Sequence, residues 1–314
     1  MNKLSQFSAL VERSHGGISL EHRFQRLVVR TAVQALRHSS YVTDWCASLD
    51  DPLMLRIFEA HPRICEKVAR PYLHRGLSFG ERHRELIGQY RWLRRHLSVS
   101  ALEAIFIGKG LELATLILGE MGEYRLVLRY YDQFEMEGDL TLILVRSDNL
   151  RIYSMTFSVL EARGALHTLI GGAQGGAGVP IEMVRELTKS MHGMRPKALV
   201  LFVLIRIMES WGATRLSGIR NISHVYKSLS FRRRRRHRVH ADYDSLWQDV
   251  GGSVAMDNPH LYDLPLSWPI KSPGDIIASK RGMYRRRYTM LDTLASELDN
   301  RARATLVAQG VVGA

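Results

Sequence analysis

The chain has 314 residues, 46% hydrophobic and 24% charged, the balance of a folded globular protein rather than a disordered one. Its 44 Lys and Arg against 31 Asp and Glu leave a formal net charge of +13, so an anionic partner is expected: a phosphorylated donor, RNA or a membrane surface. The two cysteines, Cys46 and Cys65, have no metal-site spacing and cannot frame a disulfide scaffold, so no metal is expected and a cytoplasmic location follows.

The N-terminus carries no apolar run of a signal peptide. Ala198 to Ile205, the longest apolar stretch, is too short to span a bilayer and reads as a buried helix, so no transmembrane segment is expected.

Residues 1 to about 119 read as a helical region. Phe24, Leu27, Val28, Ala32 and Leu36 recur at spacings of three and four; a second helix pattern runs from Glu81 to His96 and a third from Ala101 to Leu118. The period then becomes two. Tyr124–Tyr131, Leu140–Val145, Ile152–Leu160 and Ala165–Ile170 predict strands joined by short turns, hence an antiparallel meander of about four strands.

Leu169 to Pro180 follows as Leu-Ile-Gly-Gly-Ala-Gln-Gly-Gly-Ala-Gly-Val-Pro, a strand running into a glycine-rich turn that opens on a helix. Such a turn leaves N–H groups near the positive end of the helix dipole and can hold a phosphate; it can equally be a tight turn with no ligand. A helix from Pro180 to about Met191 is capped by Gly193, a second runs from Pro196 to about Trp211, and Thr214–Arg220 reads as a strand.

The last eighty residues change character. Arg232 to Arg236 is an unbroken arginine run that calls for RNA, an anionic membrane surface, or pairing with Asp242, Asp244 and Asp249. A proline-bearing irregular segment comes next, then a helix from Lys280 to about Asn300. The class is α+β, divided as a helical region 1–119, a sheet-and-helix core 120–230 and a basic C-terminal region 231–314 packed on the core.

Gln174 in its glycine loop, Thr188–Pro196, Asn221–Tyr226, Ala241–Trp247 and Lys280–Tyr288 together resemble the VirK/YbjX family, over roughly residues 20 to 300. The family, also described as a domain of unknown function, consists of mainly proteobacterial cytoplasmic proteins. The resemblance implies links to virulence, surface-protein display and resistance to cationic antimicrobial peptides, and no settled biochemical activity.

The order of meander, glycine loop, helix and strand is also similar to the GCN5-related acyltransferase fold. That likeness implies a donor, namely acyl-CoA, acyl-carrier protein or aminoacyl-tRNA, held at Gln174, Gly175, Gly176 and Gly178. Two departures stand out: Ala177 replaces the first glycine of that pattern, and an extra helix begins at Pro196. Acyl transfer needs an acid for the leaving group and a base for the acceptor. Tyr226 is the candidate acid, and Glu161 or His167 the candidate base. Arg195 and Arg287 are candidate anion contacts, with Arg287 expected to bring the last helix to the glycine loop. Each also has a structural reading: Tyr226 and His167 as satisfied core residues, Glu161 as solvated, and both arginines as ties or exposed helix-face charges. A binding protein without catalysis, engaging RNA, a membrane surface or an acidic partner through its basic surface, is the alternative function.

Overall fold

The computed structural model describes Asp44 and residues 51–162, 164–227 and 242–307. The amphipathic pattern at Phe24–Leu36, Cys46 and the Arg232–Arg236 run lie outside the described residues.

Helix starts follow local side-chain chemistry. In α1 (Pro52–Ala60) the Asp51 carboxylate accepts the N–H groups of Leu53 and Met54, and proline stands at the first position. In α2 (Phe79–His96) Ser78 and Glu81 form a reciprocal capping box. Ser98 caps α3 (Val99–Phe106) by accepting the N–H of Ala101.

The expected third helix ends early. Its second half is a strand, β1 (Leu111–Ile117), because Gly110 turns the chain at φ +107 where a Cβ would lie 2.5 Å from Val127 Cγ1. Strands β2 (Glu123–Arg129), β3 (Leu140–Arg146), β4 (Arg151–Ala162) and β5 (Ala165–Gly175) complete an antiparallel meander, so five strands stand where four were expected.

Helices α4 (Ile181–Ser190) and α5 (Pro196–Ser210) then cross to β6 (Ala213–Ile219), which lies parallel to β5. After α6 (Tyr243–Gln248) come the short β7 (Ser253–Val254) and β8 (Leu261–Leu264), and α7 (Arg281–Ala304) closes the described chain. The sheet order is β1-β2-β3-β4-β5-β6-β8-β7. This is a mixed α+β fold whose sheet draws β1 from the first of the three sequence regions and β7 and β8 from the third.

The apolar stretch of α5 is buried, as expected, with Leu199 to Ile205 covered against β3 to β6. Beyond the end of β3, α2 covers the free edge of β4, and Gln89 Oε1 accepts the N–H of Val159 there. Among the described residues no helix is long and apolar enough to cross a membrane.

Candidate functional site

Among the described residues β5 and β6 are the sheet's parallel neighbours, and they stay together only from Leu166–Ala213 to Ile170–Gly218. Past Ile170, β5 runs on to Gly175 held by β4, while the chain turns away after Ile219. The carboxyl ends of parallel strands that part in this way are the usual ligand position in open sheets, and the parting is called the crevice below. Trp247, wholly buried, packs at this parting: its indole donates to the Ile219 carbonyl at 2.8 Å and lies where a Cβ on Gly218 would come within 2.4 Å.

The floor of the crevice is polar. Glu137, 3% exposed, accepts from Gln174 Nε2 at 3.1 Å, and His224 Nε2, in a residue 1% exposed, lies 3.5 Å from its other oxygen. The N–H of Tyr226 donates to His224 Nδ1 at 3.3 Å, which leaves the ring proton on Nε2, toward Glu137. Tyr243 stacks on His224 at 5.4 Å between ring centroids, and its hydroxyl accepts the N–H of Ala173. Burial and then the charge of Glu137 push the Tyr243 phenol well above its usual range. At the mouth stand the half-buried Tyr153, Tyr226 and Arg151, the last with its guanidinium 4.7 Å over the Phe134 ring.

The glycine segment divides differently from its sequence reading. Gly171 to Gly175 belong to β5, and only residues 176–180 form the turn. Gly171 and Gly172 serve packing: a Cβ on either would fall 2.0 Å from the Glu137 carbonyl or 1.9 Å from Glu137 Oε2. Gly176 is spent on the sheet, with its N–H bonded to Ile152 and a Cβ position only 1.6 Å from the Arg151 carbonyl. Gly175 has open space, and Gly178 takes φ +78. Ala177 keeps an ordinary negative φ and is exposed, so the missing glycine of the acyltransferase pattern costs nothing sterically here.

The candidate bases lie elsewhere. Glu161 pairs with Arg95 at 3.4 Å, and His167 Nε2 lies 3.0 Å from Ser217 Oγ, near the start of β5. Seven residues of strand, roughly 20 Å, separate His167 from Gln174. Burial, with Arg215 beside it, pulls the His167 imidazole down to about 4. Neither residue meets Tyr226, since strand direction sends them to the opposite end of the sheet.

Arg195 is exposed just before α5, its carbonyl accepting from Ala198 and Leu199. Arg287 donates from Nε and Nη2 to the His192 carbonyl at 3.0 and 2.9 Å. That carbonyl lies two residues past α4, a helix of ten residues and so about 15 Å long, with the glycine turn at its other end. The expected phosphate contact of Arg287 gives way to a cation capping a helix C-terminus.

Among the described residues Asp242 and Asp244 are held by Asn221, and the arginine run offered as their partner lies outside those residues. Asn221 donates from Nδ2 to Asp242 and from its N–H to Asp244, both at 2.8 Å, and its Oδ1 accepts the N–H of Tyr243. This clamp fastens α6 to the turn after β6 and so aims His224 and Tyr243 at Glu137. The segments that carried the family resemblance therefore meet in pairs: Asn221–Tyr226 with Ala241–Trp247, and Thr188–Pro196 with Lys280–Tyr288.

A family model described as protein of unknown function (DUF535) matches residues 20–300. The chain belongs to this family. It is 31% identical over 258 residues to an Escherichia coli K12 protein described as uncharacterized protein YbjX, covering 81% of this chain and 77% of that one. Two Haemophilus influenzae proteins described as uncharacterized are 30% identical over 173 residues, 55% of each chain, and 27% identical over 255 residues, 80% of each. No solved structure matches.

In this DUF535 chain the residues that sequence reasoning missed are Glu137, His224 and Tyr243. Glu137 stands in Glu137-Gly138-Asp139, which by sequence reads as a plain turn between strands. A usable cue was Gly138 between two carboxylates: φ +157 and a Cβ position 2.6 Å from the Phe157 carbonyl let the chain cross β4 and bury both acids.

Proposed function

We propose that the chain is an acyltransferase-like enzyme whose donor lies across the glycine turn with its reacting carbonyl in the crevice between β5 and β6. The observation that carries this reading is the parting of the parallel pair beside a strand-turn-helix unit, with Glu137, His224, Tyr226 and Gln174 converging on the gap. The proposal keeps residues 120–230 as the core, with 1–119 and 231–314 packed on it.

The exposed N–H groups of residues 177–178 and the start of α4 would face the phosphates of acyl-CoA or acyl-carrier protein, or of an aminoacyl-tRNA terminus. Gly175 and Gly178, with open space beside them, let the donor approach the backbone, while Gly176 ties the turn to β4. Arg151, next to the turn, supplies the charge once assigned to Arg195 and Arg287. Tyr226 keeps the acid role, giving its proton to the leaving thiolate or ribose oxygen. Glu137 takes the base role from Glu161 and His167, accepting a proton from the attacking amine or hydroxyl. An aminoacyl donor would add an ammonium group to its acceptor, which fits the implied links to surface display and cationic-peptide resistance.

The second reading, a non-catalytic binder of RNA, a membrane surface or an acidic partner, is favoured by one observation. Both Glu137 oxygens and His224 Nδ1 already have partners within the chain, as a purely structural network would.

Titration calorimetry of the full chain with CoA, holo acyl-carrier protein and aminoacyl-tRNA separates the two. The enzyme reading expects one of them to bind, with binding lost in Gly175→Asp, and turnover lost in Glu137→Gln while binding stays. No binding to any of the three, or full turnover in Glu137→Gln, would overturn it.

A further inference from the structure

A cavity of about 1000 Å³ lies at the far end of α4, away from the crevice and sharing no residue with it. Its walls are β1 from Thr115 to Leu118, the turn Gly119–Met121, the last turn of α4 and the middle of α7. Three features bear on what it holds.

The first is a strand edge. β1 ends the sheet order and, among the described residues, pairs with β2 alone; α7 packs against it, and the cavity lies between the two. The second is apolar surface in the cavity. Ile117 is 71% exposed there, with Met121 and Met290 beside it, and methionine adapts to varied side chains.

The third is charge. Glu120, Glu186 and Glu297 line the cavity, and none makes an ion pair among the described residues. Against these three carboxylates the lining sets one ammonium, Lys189. His192 is also there, but burial and then Arg286 and Arg287 hold its imidazole below the usual histidine range, so it is neutral near pH 7. This local acidity stands out in a chain of net charge +13. Arg285 and Arg286 line an adjoining pocket that shares His192 and Met290, so the acidity belongs to the lining by Glu120, Glu186 and Glu297.

We propose that this groove docks an extended, lysine- or arginine-bearing peptide segment of another protein, added as a strand to the free edge of β1. Backbone pairing with β1 supplies affinity that is independent of sequence. Alternate side chains of the guest reach the apolar floor, and its cations face Glu120, Glu186 and Glu297. The groove is separate from the donor crevice, so this interaction stands whether or not the chain transfers acyl groups.

Fluorescence anisotropy of the full chain with a labelled eight-residue peptide of alternating lysine and valine tests it. Three comparison peptides are an alternating glutamate–valine octamer, an octalysine, and the lysine–valine peptide N-methylated at every second residue. Binding of the lysine–valine peptide alone is expected, with affinity falling about ten-fold in the triple variant Glu120→Gln, Glu186→Gln, Glu297→Gln and its salt dependence flattening. Because all three side chains are exposed, the triple variant keeps its fold, checked by an unchanged Tm. Equal binding of the N-methylated peptide would overturn strand addition, and preference for the glutamate peptide or for octalysine would overturn the chemistry proposed. Unchanged affinity in the triple variant would overturn the site, as would failure of all four peptides to bind.

Discussion

Lys67 and Asp139 form an ion pair shut off from water, with Nζ 2.5 Å from Oδ1 and side-chain exposures of 1% and 0%. Tyr72 and Tyr90 both donate to the same carboxylate, and Tyr72 also meets Ser158. Burial and then the Asp139 charge raise both phenols well above their usual range, so they remain donors at every working pH. The cluster joins the segment before α2, α2 itself and β4 at the turn that carries Glu137.

Removing one partner of such a pair strands the other charge. Lys67→Met is expected to cost about 3 kcal/mol, the lower end for a broken buried pair because two phenols still serve Asp139. Urea unfolding measures it. The double variant Lys67→Met, Asp139→Asn should recover part of the loss, since no charge is then left unpaired.

The two neighbouring glycines should behave oppositely. Gly175→Ala enters open space and is expected to change stability by less than about 0.5 kcal/mol. Gly176→Ala meets the Arg151 carbonyl and should cost about 1–3 kcal/mol through backbone displacement. Thermal unfolding of both distinguishes them.

Acid should weaken the fold before its carboxylates titrate. His74 and His167 are each held near 4 against an ordinary 6.5, by burial first and then by His260 and Arg215 respectively. The unfolded chain therefore binds protons that the folded chain refuses between pH 6.5 and 4. The stabilisation is whole above pH 6.5 and is lost as pH falls through that window, at up to about 1.4 kcal/mol per pH unit for each histidine. In His167→Gln the measured slope of unfolding free energy against pH should drop by one such increment.

Arg287→Ala is expected to lower stability by about 1–2 kcal/mol, through loss of two charge-assisted bonds to the His192 carbonyl. Donor binding should be unaffected. Lost donor affinity with unchanged Tm would return Arg287 to the glycine turn.

Much of the fold is legible in local chemistry. The strands at 124–131, 140–145, 152–160 and 165–170 follow from alternation, and the buried helix at 198–205 from an unbroken apolar run. Ser78 with Glu81 marks the start of α2. The error at Ala101–Leu118 has a physical cause: Leu, Ile and Ala suit helix and strand alike, and the break rests on the contact of Gly110 with Val127, a residue on the next strand.

The site was less legible. The strand-turn-helix unit at Leu169–Pro180 and the position of Tyr226 just after the following strand are readable locally, because glycine, proline and hydrophobic period act over a few residues. Which acid faces the crevice is a matter of long-range packing. Glu137 reaches Gln174 and His224 across 37 and 87 positions, because a turn between β2 and β3 crosses β4 and packs on Gly171 and Gly172 of β5. The same holds for Arg287. Its place in a helical pattern was readable, but whether it meets the first or last turn of α4 depends on how α7 lies along α5, and that is set by the burial of Leu291, Leu294 and Leu298. Contacts that far apart in sequence leave no periodic trace, since each partner satisfies its local rules equally well in many packings.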